Sequence, residues 1–455
     1  MHSESVSARL AARIVQQREY TPQTLALAKR HFVETIGVAL SGANERCTRA
    51  VLDTAPGGPF ARSLMSPRAL GLRDAASCNA TATHAHDFDD DEPHIIVGHP
   101  SVVVVAALMA VADEHPITLS SALRAYVAGS ETMTRIGALV NPAHYNRGWH
   151  CTATLGVFGA AVATALAMGL DELKIRRALD IAATFANGLK ENFGSDMKPI
   201  QVGVAASSGV WAAQLAATGM TVSTSALDGR YGFIQREGST ANADASINAY
   251  GNPWCVDSPG FNVKIYPCCS STHTALDGLL SALAETRWTA GAIENIDVWM
   301  GPDVADILVH DVPATGLQGK FSMRYCLARA AVSGAPRLED FTDAAIRDEQ
   351  VTAMIQRVRV HLDPSLPREP TGVTHQTRVR VTSRSGEQCE RVVPLPRGSA
   401  AARCTEEELE QKFIACASFS FGPDAATRIW SRINALRGDD RVSLIIEAVH
   451  QEQGR

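Results

Sequence analysis

HAHDFDDDEPHIIVGHP, residues 84–100, puts four histidines and five carboxylates into seventeen positions and runs directly into the apolar SVVVVAALMAVA. Side chains of these types can ligate a metal, decorate a solvated loop, or move protons at the rim of an active site. The spacing argues against a metal. An EF-hand loop needs Gly at its sixth position and Glu at its twelfth, and a zincin helix needs two His four residues apart with Glu between them. Neither pattern is present. Asp90, Asp91 and Glu92 read as readily as a solvated acidic face or helix N-cap cluster as they do as functional groups. His99 is different, because HPS stands at the mouth of a long apolar helix, where a half-sheltered imidazole can be tuned near neutrality.

Four further places carry chemistry-bearing side chains. His150 in RGWHCTATLG immediately precedes an Ala-rich helix, whose N-terminal dipole favours neutral imidazole and suits a general base. Lys198 follows GSDM in a predicted loop between helical segments, where a snorkelling side chain outweighs an anion-binding one. NVKIYPCCSSTH gathers Lys264, Cys268, Cys269 and His273 around a Pro at a predicted domain junction, and such clefts are common ligand sites. KFSMRYC places Tyr325 at a helix start, either as a proton donor or as a core aromatic with a satisfied hydroxyl. The glycine clusters, GRYGF with Arg230 among them, match neither a Rossmann fingerprint nor a phosphate loop. A set of His, Tyr and Lys without a cofactor motif points to proton transfer beside a carboxylate.

These residues need a scaffold. A chain of 455 residues predicts two domains, and 45% hydrophobic with 20% charged residues is a globular composition. A formal net charge of −6 gives no reason to expect a nucleic-acid partner. The N-terminus has helical spacing rather than a signal core. The longest apolar stretch, Leu155–Leu170, is too short to span a bilayer, so no membrane association is expected. Ten scattered cysteines without a C-x-x-C pair suit a reducing cytoplasm.

Residues 8–220 read as successive helices. Thr21-Pro22 opens one that closes on Ser41-Gly42; others cover Ser101–Asp113, Ser120–Val140 and Thr152–Leu189, the last interrupted near Gly169. β-Branched alternation then predicts strands at Ile293–Met300, Arg357–Leu362 and Arg378–Val381. Thr405 with Glu408 forms a capping box that begins the C-terminal helices. The expected class is α+β, mainly α: a large all-helical domain from residues 1–264 and 399–455, and a smaller α+β domain at 265–398.

HAHDFDD with a downstream HPS, GWHCTATLG, GSDMKPIQVGVAASSGV, GRYGF, KIYPCCSSTH and FSMRYCLARA occur in an order that resembles the MmgE/PrpD family. That family includes 2-methylcitrate dehydratases, cis-aconitate decarboxylases and iminodisuccinate epimerases. The resemblance runs from the first helix to the C-terminal helices. It implies the same two-domain fold, usually a homodimer, and a cofactor-independent enzyme acting on a small di- or tricarboxylate. Motif by motif it implies catalytic roles for Asp87, His99, His150, Lys198 and Tyr325, with Lys264 an active-site lysine beside the substrate. Cys269, His273 and Arg230 are expected to help bind it. Family decarboxylases carry a histidine where Cys269 stands, and many members have Thr where Asp91 stands. Both departures weigh against decarboxylation; a 2-methylcitrate dehydratase-like lyase ranks first as the family's best-known activity, an iminodisuccinate epimerase-like isomerase second and a decarboxylase third. A reading of another class is a non-catalytic protein using the acidic loop as a binding surface.

Overall fold

Thr21 accepts a hydrogen bond from the Thr24 N–H, with Pro22 at the first helical position, and so starts the helix Pro22–Ser41. The computed structural model describes residues 4–17, 19–369 and 371–453. Residues 1–3 and 18 of the N-terminal stretch with helical spacing therefore lie outside the described residues; its remainder contains the helix Val6–Gln16.

The helical part is built around Pro100–Val111, in which every residue is buried. Each buried Val there contributes about 1.5–3 kcal/mol. Leu119–Val140, Cys151–Ala167 and Met197–Ala217 pack around it. A Cβ on Gly129 would stand 2.7 Å from the Gly159 carbonyl oxygen, and one on Gly159 would stand 3.0 Å from that of Gly129. Small residues thus let Leu119–Val140 and Cys151–Ala167 approach until backbone meets backbone, which explains why this central segment is Ala- and Gly-rich. The chain returns at its end: Glu406–Phe421, capped reciprocally by Thr405 and Glu408, packs on Pro22–Ser41, and Pro423–Asn434 and Leu444–Gln453 follow.

The second hydrophobic core runs from Tyr266 to Cys389. Its sheet has the order Val358–Leu362, Ile293–Met300, Thr377–Ser383, Gln388–Val393, with the first pair parallel and the others antiparallel. The helices His273–Thr286 and Met323–Ser333 cover it. The strand Gln388–Val393 and the hairpin Gly57–Ser63/Ser66–Leu70 carry too many charged or short-range turn residues to show the expected alternation, and they are additions to the sequence reading. No helix among the described residues is long and apolar enough to cross a membrane. All ten cysteines are free and buried.

The two cores meet where the loop 85–99 crosses between them. Asp91 bridges backbone to backbone with Asn262, and the ammonium of Lys264 reaches the Asp87 carbonyl. The chemistry-bearing motifs converge on that seam.

Candidate active site

His99 is the N-cap of Pro100–Val111 and His150 the N-cap of Cys151–Ala167. The two helix starts are tied together, since the His99 N–H donates to Thr152 Oγ1 at 3.0 Å. Lys198 sits in the first turn of Met197–Ala217, not in a loop; Pro199 is tolerated there because first-turn N–H groups have no intrahelical partner. Nor does it snorkel. It is 4% exposed, with Nζ 2.7 Å from Asp87 Oδ1 and 2.6 Å from His84 Nε2.

Asp87 is the hub. Its backbone has φ 53°, a left-handed conformation that Asp tolerates better than most residues and that turns its side chain inward. Oδ2 lies 3.2 Å from Lys264 Nζ, which also donates to the Asp87 carbonyl at 2.8 Å. Burial alone would raise this carboxyl, but Lys198 and Lys264 outweigh it and hold it well below the usual carboxylate range. Burial would in turn lower Lys264, and Asp87, backed by Asp89 and Asp91, raises it instead. Two lysines therefore share one firmly ionised carboxylate, and Lys264 remains charged in a buried place.

The three histidines of this wall are neutral. Burial lowers His84, His99 and His150, with Lys198 adding to the shift at His84 and His150; Asp89 partly offsets burial at His99, which still falls to about 3. Their rings are in contact: His84 lies 4.7 Å from His99 and 5.5 Å from His150, centroid to centroid. His84 Nδ1 donates to Asp89 at 2.8 Å, so its Nε2 accepts from Lys198. Around the same small cavity stand Thr152, Tyr145, Cys269, Ser270, Ser271, Asp91 and His375, with Phe193 and Phe321 stacked at 5.5 Å as the apolar wall. Of the sequence-predicted residues, Asp87, His99, His150, Lys198, Lys264 and Cys269 thus line one hollow.

Three do not. The Tyr325 hydroxyl donates to the Asp340 carbonyl and its ring edge meets Phe341, so the core-aromatic alternative describes its placement. His273 begins His273–Thr286 behind the cavity wall, with Nε2 3.2 Å from the Cys268 carbonyl. Arg230 is exposed, its guanidinium 5.1 Å from the centre of the Tyr231 ring, and does not line the cavity. The solvated reading of Asp90, Asp91 and Glu92 is also overturned, for all are buried. Asp90 accepts from the Ser101 N–H at 3.2 Å and from its hydroxyl at 2.5 Å, while Glu92 accepts from the N–H groups of His94, Ile95 and Ile96. A carboxylate run becomes the internal hydrogen-bond frame of its own loop.

Among the described residues, two groups could present metal-ligand atoms within 4.8 Å of one another. In His84, Asp89 and His99 the donors already bond each other, and a cation there would meet the Lys198 ammonium 2.6 Å from His84. In His94, Glu369 and His375, the first two touch at 3.3 Å, and His375 Nε2 is buried without a hydrogen-bond partner among the described residues.

Sequence reasoning missed Tyr145, Thr152, Ser270, Ser271 and His375. Thr152, Ser270 and Ser271 had a signal, since each lies within the motifs that supplied His150 and Lys264; Tyr145 and His375 had none in their local pattern.

The model of the MmgE/PrpD N-terminal domain matches residues 9–244, and that of the MmgE/PrpD C-terminal domain matches residues 266–437. The chain is 26% identical to a cis-aconitate decarboxylase-like protein, oryM, of Aspergillus oryzae over 94% of this chain and 93% of that protein. It is also 26% identical to the cis-aconitate decarboxylase of Homo sapiens, over 76% of this chain and 72% of that one. The cis-aconitate decarboxylase of Aspergillus terreus is 26% identical over 70% of each chain.

Proposed function

The chain belongs to the MmgE/PrpD family, and from that premise we propose that it is a cofactor-independent acid/base lyase that removes a proton beside a carboxylate of a small di- or tricarboxylate. The observation that carries the reading is the Asp87 carboxylate shared by two buried ammonium groups next to neutral histidines on one cavity. Deprotonation next to a carboxylate drives electrons into that group and makes it enediolate-like. Cations already in place stabilise such charge without reorganising, an effect large in a water-poor site. Lys198 and Lys264 are the cations.

His99 is the base. Its Nδ1 lies 2.8 Å from the Asp90 carbonyl, which can only accept, so Nδ1 carries the hydrogen and Nε2 is bare. Once protonated, His99 can return the proton to a departing β-hydroxyl as water; this is the 2-methylcitrate dehydratase-like outcome and our first choice. Epimerisation is second, because it needs a donor on the opposite face, and Tyr145 and Cys269 both line the cavity. Decarboxylation is third, since the chain departs from family decarboxylases at Cys269 and from many members of the family at Asp91, both cavity-lining positions. A cytoplasmic location and a homodimer belong to the same reading.

The test is to incubate the protein with 2-methylcitrate, cis-aconitate and iminodisuccinate in heavy water and follow each by proton NMR. A new vinyl or methyl signal marks dehydration, an itaconate-like pair marks decarboxylation, and deuterium entering an unchanged skeleton marks epimerisation. Absence of turnover and of exchange in all three overturns the proposal in favour of a binding role.

A further inference from the structure

Gln201 lies almost one helical turn after Lys198 on Met197–Ala217, 8% exposed, and does not line the cavity. Its amide cannot be turned round. The Leu189 N–H donates to Oε1 at 3.0 Å, and Nε2 donates to the Leu189 carbonyl at 3.1 Å. A backbone N–H only donates and a carbonyl only accepts, so the two ends of the amide are assigned by the backbone. Asn192 Nδ2 adds a second donor to Oε1 at 3.2 Å. The remaining hydrogen of Nε2 then points at His150 Nδ1, 2.6 Å away.

That contact decides the state of His150. A nitrogen that accepts a hydrogen bond holds a lone pair, so Nδ1 is bare and a neutral ring carries its hydrogen on Nε2. His99 is held the opposite way by the Asp90 carbonyl, with its hydrogen on Nδ1 and Nε2 bare. Two imidazoles on one cavity are thus locked as opposite tautomers, each by a partner that offers only one hydrogen-bonding role. Position at a helix N-terminus reinforces a neutral His150.

We infer that Gln201 is a positioning residue that fixes His150 as the Nε2–H tautomer, so that His150 serves as a neutral hydrogen-bond donor to the substrate oxygen on which charge develops and is excluded as the base. The inference rests on the acid/base reading above and divides the roles within it: His99 takes the proton, while His150 joins Lys198 and Lys264 as an electrophile. A neutral imidazole suits this task because it can donate to a developing oxyanion without surrendering its proton. The titratable groups facing His150 are Lys198, His84, His99 and Asp87, and the Phe193 ring closes its remaining side at 5.2 Å.

The test is long-range proton–nitrogen NMR on the full chain labelled at histidine nitrogen, with the His150 signals assigned by their loss in His150→Phe. The wild type is expected to show His150 as the Nε2–H tautomer at neutral pH. Gln201→Glu keeps the shape and the Leu189 N–H contact, but its carboxylate demands a hydrogen on Nδ1. His150 should then switch tautomer or become imidazolium, kcat should fall by about 10²–10³-fold with a smaller change in KM, and the pH–rate profile should gain a limb near neutrality. A wild-type His150 protonated on Nδ1 overturns the inference, as does a Gln201→Glu protein with unchanged tautomer and pH profile. Should Gln201→Glu fail to fold, the wild-type spectrum alone decides. The tautomer is read without substrate, so a protein that turns over none of the carboxylates refutes the enzymatic reading while leaving the Gln201 contact separately judged.

Discussion

Asp87 Oδ1 lies 2.7 Å from Lys198 Nζ across 111 residues of chain, and the same carboxylate meets Lys264 on its other oxygen. Isolated, any of these charges would be expensive to bury; together each ammonium has the carboxylate within ion-pair distance.

Replacing Asp87 by Asn is expected to strand both lysines. Removing one member of a buried ion cluster costs about 3–5 kcal/mol, which denaturant titration of wild type and variant will read. Turnover should vanish with it. The depressed Asp87 carboxyl contributes stability that is present above its unfolded value and is lost as pH falls from about 4 toward the folded value, so the variant's deficit should shrink in acid. A deficit that is small, or constant with pH, contradicts the hub.

Lys198→Met tests the cation role in the reaction itself. With a turned-over carboxylate, kcat/KM should drop by about 10²-fold or more, because the lost interaction strengthens as charge develops. Near-normal steady-state kinetics would remove Lys198 from the machinery.

His86 lies outside the cavity, its Nε2 3.2 Å from the Ser41 carbonyl and its ring against Phe419. Burial, with Lys320 adding, pushes it down to about 3. A histidine lowered in the folded state binds its proton only on unfolding, so acidification below about 6.5 favours the unfolded chain by about 1.4 kcal/mol per pH unit. Between pH of about 6.5 and 5, wild type should therefore lose about 2 kcal/mol relative to His86→Gln. Parallel denaturation curves at the two pH values would disprove this.

Cys269→Ser should leave kcat/KM within about twofold if dehydration by His99 is correct, since no thiolate is needed. Burial, then Asp87, pushes the thiol up to about 11, which keeps it protonated near neutral pH. A large loss of exchange into an unchanged skeleton would instead favour the thiol as the second donor of an epimerase.

Tyr325→Phe is expected to act on stability. Its hydroxyl satisfies the buried Asp340 carbonyl, and deleting that donor costs about 1–3 kcal/mol. Thermal unfolding should show the loss while KM and kcat stay within a few-fold; a selective collapse of kcat would return Tyr325 to the chemistry.

Much of this protein is written locally. The caps at Thr21 and Thr405, the helix opened by Pro100, the alternation of Ile293–Met300 and the Gly/Ala density around Gly159 each depend on neighbours within a few residues, so they are legible from order alone. Motif order pointed to His99, His150, Lys198 and Lys264 for the same reason: residue type is local information. Direction and protonation are not. Whether Asp90 and Glu92 meet water or buried donors, whether Tyr325 faces substrate or Asp340, and which nitrogen of His150 bears hydrogen are set by partners brought from elsewhere in the chain. A hydrogen bond forms only at short range and fixed angle, so those choices exist only once the two cores have closed on the loop between them.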